Sequence, residues 1–166
     1  TIDARVAELD ELISKQLSEV MHAEAFQKLE SSWRGLHYLC KHTSTNSMMK
    51  IKVLNATKKD LVKDFNTAID FDQSALFKKV YEEEFGTFGG SPFGALIGDY
   101  DISRQPEDMY FVEQMSHVAA AAHAPFISAA SPELFGLDSF TDLGKPRDLA
   151  KVFDTVEYAK WKSFRE

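Results

Sequence analysis

Cysteine is nearly absent from this chain. Cys40 stands alone, which excludes an internal disulfide and a cysteine-built metal cluster and fits a reducing compartment. Positive charge is in deficit as well, with 19 Lys and Arg against 26 Asp and Glu and a formal net charge of -7. Nucleic-acid binding depends on Lys and Arg neutralising phosphate, so no nucleic acid is expected as a partner. Long apolar runs are missing too. None approaches the ~20 residues that cross a bilayer and no signal peptide is visible, so no membrane insertion is expected. Internal repeats and low-complexity tracts are likewise lacking. What the chain does hold is a core. Of its 166 residues 44% are apolar, thirteen Phe and two Trp among them, ample for about one domain.

The organising stretch runs from Phe93 to Phe135. Ala95-Leu96-Ile97 is a short apolar run closed by Gly98-Asp99, and Pro125 to Ala130 is a second, stopped by Ser131-Pro132. Short apolar runs bounded by turn residues read as strands buried on both faces. Between them Pro106 opens a helix to Ala122, with Glu107 and Asp108 in its first turn. Met115, Val118 and Ala122 share one stripe of it, and Val112, Ser116 and Ala119 the next. Two strands joined this way form a parallel pair with a right-handed crossover. Phe126 and Ile127 are expected in the core.

Around that unit the spacing predicts further elements. Thr1 to Val20 is helical through Val6, Leu9, Ile13 and Val20, a stripe read as packing on its own domain rather than as a coiled coil. His22 to Lys41 is a second helix carrying Phe26, Leu29, Trp33 and Leu36, followed by a polar loop from Thr43 to Ser47. Met49 to Ala56 alternates and reads as an edge strand. Asp60 to Ala68 is a short helix, and Asp72 is expected to cap another from Gln73 to Phe85. Pro146 is expected to begin a last helical stretch. The fold class is therefore α/β: a small, mainly parallel sheet of about three strands with crossover helices, behind two N-terminal helices. Residues 1–47 form the helical segment and 48–166 the α/β domain. The chain stops mid-pattern at Phe164-Arg165-Glu166, as expected of a fragment of something longer.

Candidate chemistry is thin. The glycine-rich stretch with Gly86, Gly89 and Gly90 lies after a helix and before a strand, whereas phosphate loops run from strand to helix, and no Gly-Lys-Ser/Thr follows; it reads as a structural turn. Asp99 and Asp101 fall at the carboxyl end of a parallel strand, where α/β sheets place ligands, but nothing nearby completes an oxygen cage for a cation. Glu82-Glu83-Glu84 is a solvated face. His117 and His123 do not share a helix face, and His123 reads as a hydrogen-bonded packing residue. Ser128 and Ser131 lack a nucleophile elbow. Catalytic, cofactor and metal residues are all expected to be none, and the chain is not expected to be an enzyme.

The same segments carry a family likeness. Phe26-Gln27-Lys28-Leu29-Glu30, Trp33-Arg34-Gly35-Leu36, Tyr81-Glu82-Glu83-Glu84-Phe85-Gly86 and Ile97-Gly98-Asp99-Tyr100 resemble the large subunit of the contractile sheath of bacterial type VI secretion systems. So do Val118 to Pro132, Arg147-Asp148-Leu149 and the terminal Trp161-Lys162-Ser163-Phe164-Arg165-Glu166. Ala23-Glu24 departs from the proline expected at that helix start. The resemblance spans nearly the whole chain. It implies an early portion of a much longer cytoplasmic protein that pairs with a small sheath subunit. Further copies of itself would stack as helical strands around an inner-tube protein, linked by shared β-strands, and contraction would drive the tube into a target cell. Recycling would fall to a separate ATPase. The alternative reading is a non-catalytic nucleotide- or small-molecule-binding α/β domain, and a third an adaptor docking through its first helix. Tyr158, Trp161 and Phe164 recur at three-residue spacing with no evident partner, and are expected to form an interface.

Overall fold

The computed structural model describes residues 2–44, 49–144 and 148–165. The chain divides into two compact units, Thr1–Leu54 and Asn55–Glu166. The boundary expected between residues 47 and 48 lies outside the described residues, as do the loop residues 45–47 and Pro146.

The first unit holds α1 (Ile2–Met21) and α2 (Glu24–His42). Ala23 at the N-cap of α2 makes no side-chain cap bond, while Lys41 and His42 favour the other end of its dipole. Arg34 Nε lies 2.7 Å from Glu30 Oε1, one helical turn away. No residue of either helix is buried. Leu9 and Ile13 are exposed, so within this unit the stripe of α1 is not buried. Beyond α2, residues 49–57 form neither helix nor strand, in place of the expected edge strand. Alternation favours extended backbone, but a strand also needs a neighbour to complete its hydrogen-bond ladder. Among the described residues no strand is paired with it, and the sheet has two strands rather than three.

The second unit is α/β. In chain order it holds α3 (Lys58–Thr67), α4 (Ala75–Phe77) running into a π-helical turn (Lys78–Glu82), and β1 (Leu96–Ile102). Then come α5 (Pro106–Ala121), β2 (Phe126–Ala130), α6 (Leu149–Val152) and α7 (Ala159–Arg165). Thr57 and Asp60 form a reciprocal capping box at the start of α3, which buries Leu61, Val62 and Phe65 as its spacing predicts. Asp72 does not cap the next helix; it lies inside a 3-10 turn, Phe71–Gln73. Ser74 is the cap, its Oγ accepting from Phe77 N at 3.1 Å. Asp64 of α3 accepts from Ala75 N and Leu76 N, at 3.0 and 2.9 Å, so the first amides of α4 are met from another helix.

Strands β1 and β2 pair in parallel across the α5 crossover, as the sequence implies. Leu96, Ile97 and Gly98 register with Phe126, Ile127 and Ser128, then Asp101 and Ile102 with Ala129 and Ala130. Asp99 and Tyr100 are thus extra on β1. An even insertion keeps both strands' faces in phase, so the bulge does not turn the pattern inside out. Ser128 Oγ lies 3.1 Å from Gly98 O and 2.6 Å from Tyr100 O, supplying a donor where the ladder is broken.

One face of the sheet is packed. Phe111 and Val118 of α5 are fully buried, and the Phe111 ring meets Tyr100 and Phe126 edge to face, at 5.8 and 6.0 Å. The other face is open. Ile127 is 55% exposed and its register partner Ile97 is 64% exposed, which corrects the expectation that Ile127 is core and that the strands are covered on both sides. Phe126, on the packed face, is only partly buried. A single crossover lays its helix on one side of the sheet, here the side of Phe111 and Val118.

Candidate functional site

The carboxyl end of β1 is the place where an α/β sheet would hold a ligand. Here a polar node between chain segments fills it. Lys58 Nζ lies 2.5 Å from Asp108 Oδ1 and donates to Asp101 O at 3.0 Å. Asp108 Oδ2 accepts from Ser103 N and Ser103 Oγ at 2.8 and 2.7 Å. The node joins the start of α3, the end of β1 and the first turn of α5. Burial pushes the Asp108 carboxyl up, but the bonds from Lys58 and Ser103 and the Lys58 charge outweigh that and hold it below its ordinary value. Tyr100 is shifted the other way. Burial raises its phenol, with Asp60 and Asp99 adding to the effect, while its hydroxyl donates to Ala56 O at 2.6 Å.

The other sequence candidates are dispersed. Asp99 and Asp101 lie within β1, which runs past Gly98-Asp99 to Ile102 rather than ending there. Gly98 is no terminator: a Cβ on it would come within 2.8 Å of the Phe126 and Tyr100 rings. Gly86 N donates to Tyr81 O at 2.7 Å, closing the π-helical turn, and Gly89 takes a φ of 85°. Gly90 sits so close to the preceding helix end that a Cβ would fall 2.3 Å from Glu84 O. His117 lies against the Phe71 ring at 5.1 Å, whereas His123, six residues on, lies 5.5 Å from the Phe85 ring. His123 has a φ of 53° and ends α5: its N–H donates to Ala120 O and Ala124 N–H to Ala119 O, the paired bonds of a Schellman motif. Ser131 caps the 3-10 turn Pro132–Phe135. Among the described residues no group of three or more His, Cys, Asp or Glu is placed to hold a metal ion.

The aromatic set near the last helix splits. Tyr158 is 3% exposed and meets Phe153 edge to face at 5.4 Å, so it has a partner inside the domain, contrary to expectation. Phe153 also contacts Phe135 at 5.9 Å and Trp161 at 6.4 Å. Trp161 is half-buried; Phe164, 5.9 Å from it, is exposed. Three-residue spacing identified one side of a helix turn but not the Phe135–Phe153 wall that meets it. Arg104, just beyond the end of β1, pairs with Glu157.

Residues 3–166 match the family model VipB, described as EvpB/VC_A0108, tail sheath N-terminal domain. The chain belongs to this family. It is also 48% identical over 168 residues to the type VI secretion system sheath protein TssC1 of Pseudomonas aeruginosa, a match covering 100% of this chain and 34% of that relative. The chain thus spans about a third of the length of the relative it matches. Several polar residues have architectural roles in this domain: Ser74 and Ser131 cap turns, Ser128 bridges the bulge, and Asp108 ties α5 to Lys58. Sequence reading missed the Lys58–Asp108 pair, whose members lie fifty positions apart. The one local signal was Asp108 following Pro106 in a first turn, which also reads as an ordinary dipole contact. No helix among the described residues is long and apolar enough to cross a membrane.

Proposed function

We propose that this domain is a structural, non-catalytic part of the wall of a contractile type VI secretion sheath. It assembles in the cytoplasm with a small sheath subunit and further copies of itself around an inner-tube protein. The observation that carries this reading is the match to the tail sheath N-terminal domain through residues 3–166. The geometry supports it, because the carboxyl end of β1 is filled by a Lys58–Asp108 pair rather than by convergent free groups. Phe164 and the open edge of Trp161 supply apolar surface for a sheath contact, whereas Tyr158 belongs to the domain itself. The deciding experiment is electron microscopy of the full-length protein co-expressed with its small partner. Helical tubes of sheath are expected, and purified protein should hydrolyse no nucleotide, ester or peptide. Hydrolysis that tracks the protein and disappears on Asp99→Ala, or co-expression that yields only dispersed subunits, would overturn the reading. Binding of a nucleotide at equilibrium would favour a ligand-binding domain instead.

A further inference from the structure

We infer that the open face of the β1–β2 sheet is the seat of a second layer, an amphipathic helix supplied by the part of the same polypeptide that follows this N-terminal domain. Ile97 and Ile127 are register partners and lie side by side on that face, 64% and 55% exposed. Ala129 extends the apolar strip and the Asp99 and Asp101 side chains border it toward the carboxyl ends of the strands. The opposite face is already closed by α5 through Phe111 and Val118. Parallel strands occur almost only in sheets covered on both faces, since their crossovers carry helices to each side. A parallel pair bearing two adjacent exposed isoleucines is therefore half of a layered structure.

The choice of occupant follows from length. The relative carries about two thirds of its sequence outside the matched region, and the family domain matched here is by description the N-terminal one. Chain that follows is available, and the next crossover in an α/β order can lay its helix on the free side. The face also dictates its chemistry. The covering helix presents apolar residues at three-four spacing to Ile97 and Ile127, and Lys or Arg to the end bordered by Asp101. The inference stands apart from the sheath reading, because it concerns how one subunit completes its own sheet.

The test uses the full-length chain, purified both as free subunit and within the assembly. Ile97→Cys and Ile127→Cys are pulse-labelled with a maleimide and mapped by mass spectrometry, beside Phe88→Cys at a fully exposed loop position. Labelling at 97 and 127 is expected to be about ten-fold or more slower than at 88 already in the free subunit, since a packed layer must open first. A short crosslinker placed at either cysteine is expected to join it to a peptide beyond residue 166 of the same molecule, judged by mixing isotope-labelled and unlabelled chains. Labelling as fast as at 88 in the free subunit would overturn the inference. So would protection that appears only on assembly, or crosslinks to another copy or another protein. Hydroxyl-radical footprinting of the Ile97 and Ile127 side chains in the unsubstituted full-length chain gives the same reading if a cysteine variant fails to fold, with oxidation as fast as at Phe88, after scaling for intrinsic reactivity, overturning it.

Discussion

Lys58 and Asp108 meet at 2.5 Å where α3, β1 and α5 converge, and the carboxylate has lost nearly all its solvent. Replacing Lys58 with Met leaves that charge with only the Ser103 donors. Breaking a buried pair costs about 3–5 kcal/mol, and Lys58 keeps partial exposure, so a loss toward the lower end is expected in urea unfolding. The pH dependence has a definite sign. The Asp108 pKa is lowered on folding, so its contribution is fully present above the unfolded value of about 3.9 and fades as pH falls through the folded one. Asp108→Asn should flatten the acid limb of stability as pH falls below about 5. An unchanged slope would show that other carboxylates set it.

Gly90 faces backbone, not a movable side chain. A Cβ there would lie 2.3 Å from Glu84 O, so Gly90→Ala forces the turn off the helix end at a cost of about 1–3 kcal/mol. Each kcal/mol lowers Tm by about 2–8 °C for domains in this size range. Gly94→Ala, with nothing within 4 Å of its Cβ, serves as the neutral partner. Equal Tm values for the two variants would contradict the turn geometry.

Gly98 and Phe126 should behave as a coupled pair. The Cβ of Gly98→Ala would press on the Phe126 ring at 2.8 Å and on Tyr100 at the same distance. In a Phe126→Ala background that penalty should shrink without vanishing, an interaction energy of about 0.5–3 kcal/mol in a double-mutant cycle. Phe126→Ala alone should cost less than Phe111→Ala, whose fully buried ring puts it in the range of about 3–5 kcal/mol. Additive effects would place the ring elsewhere.

These cases also mark where the sequence was legible. Elements with their own periodicity or caps were readable: α3 through Leu61, Val62 and Phe65, α5 from Pro106, and the parallel pair on either side of it. What failed was whatever depends on a distant partner. Met49 to Ala56 alternates like a strand but has no neighbouring ladder among the described residues. Ile127 is apolar like a core residue, yet it lies on the face of the sheet that α5 does not cover. Asp72 looked like a cap, but the Ser74 hydroxyl and the Asp64 carboxylate serve the amides of α4 instead. The candidate site fared likewise. Gly90 could be placed in a turn from composition, while the Glu84 carbonyl that demands glycine there was invisible.

Tyr158 offers the sharpest division between domain and interface. Its ring is packed on Phe153, but its hydroxyl is buried with no hydrogen-bond partner among the described residues, above the left-handed turn at Gly136. Burying an unpaired hydroxyl costs about 1–3 kcal/mol, so removing it while keeping the ring relieves the domain. Tyr158→Phe is therefore expected to raise Tm, by roughly 1 kcal/mol of added stability, whereas Tyr158→Ala should lose about 3–5 kcal/mol with its edge-to-face contact. Phe164→Ser should do neither, because that side chain is already exposed; its effect is expected in sheath assembly instead. Thermal unfolding of the three variants, followed by assembly with the small subunit, separates these roles. A drop in Tm for Tyr158→Phe would mean that the hydroxyl has a partner, and a Phe164→Ser variant that unfolds would move the whole aromatic set into the domain core.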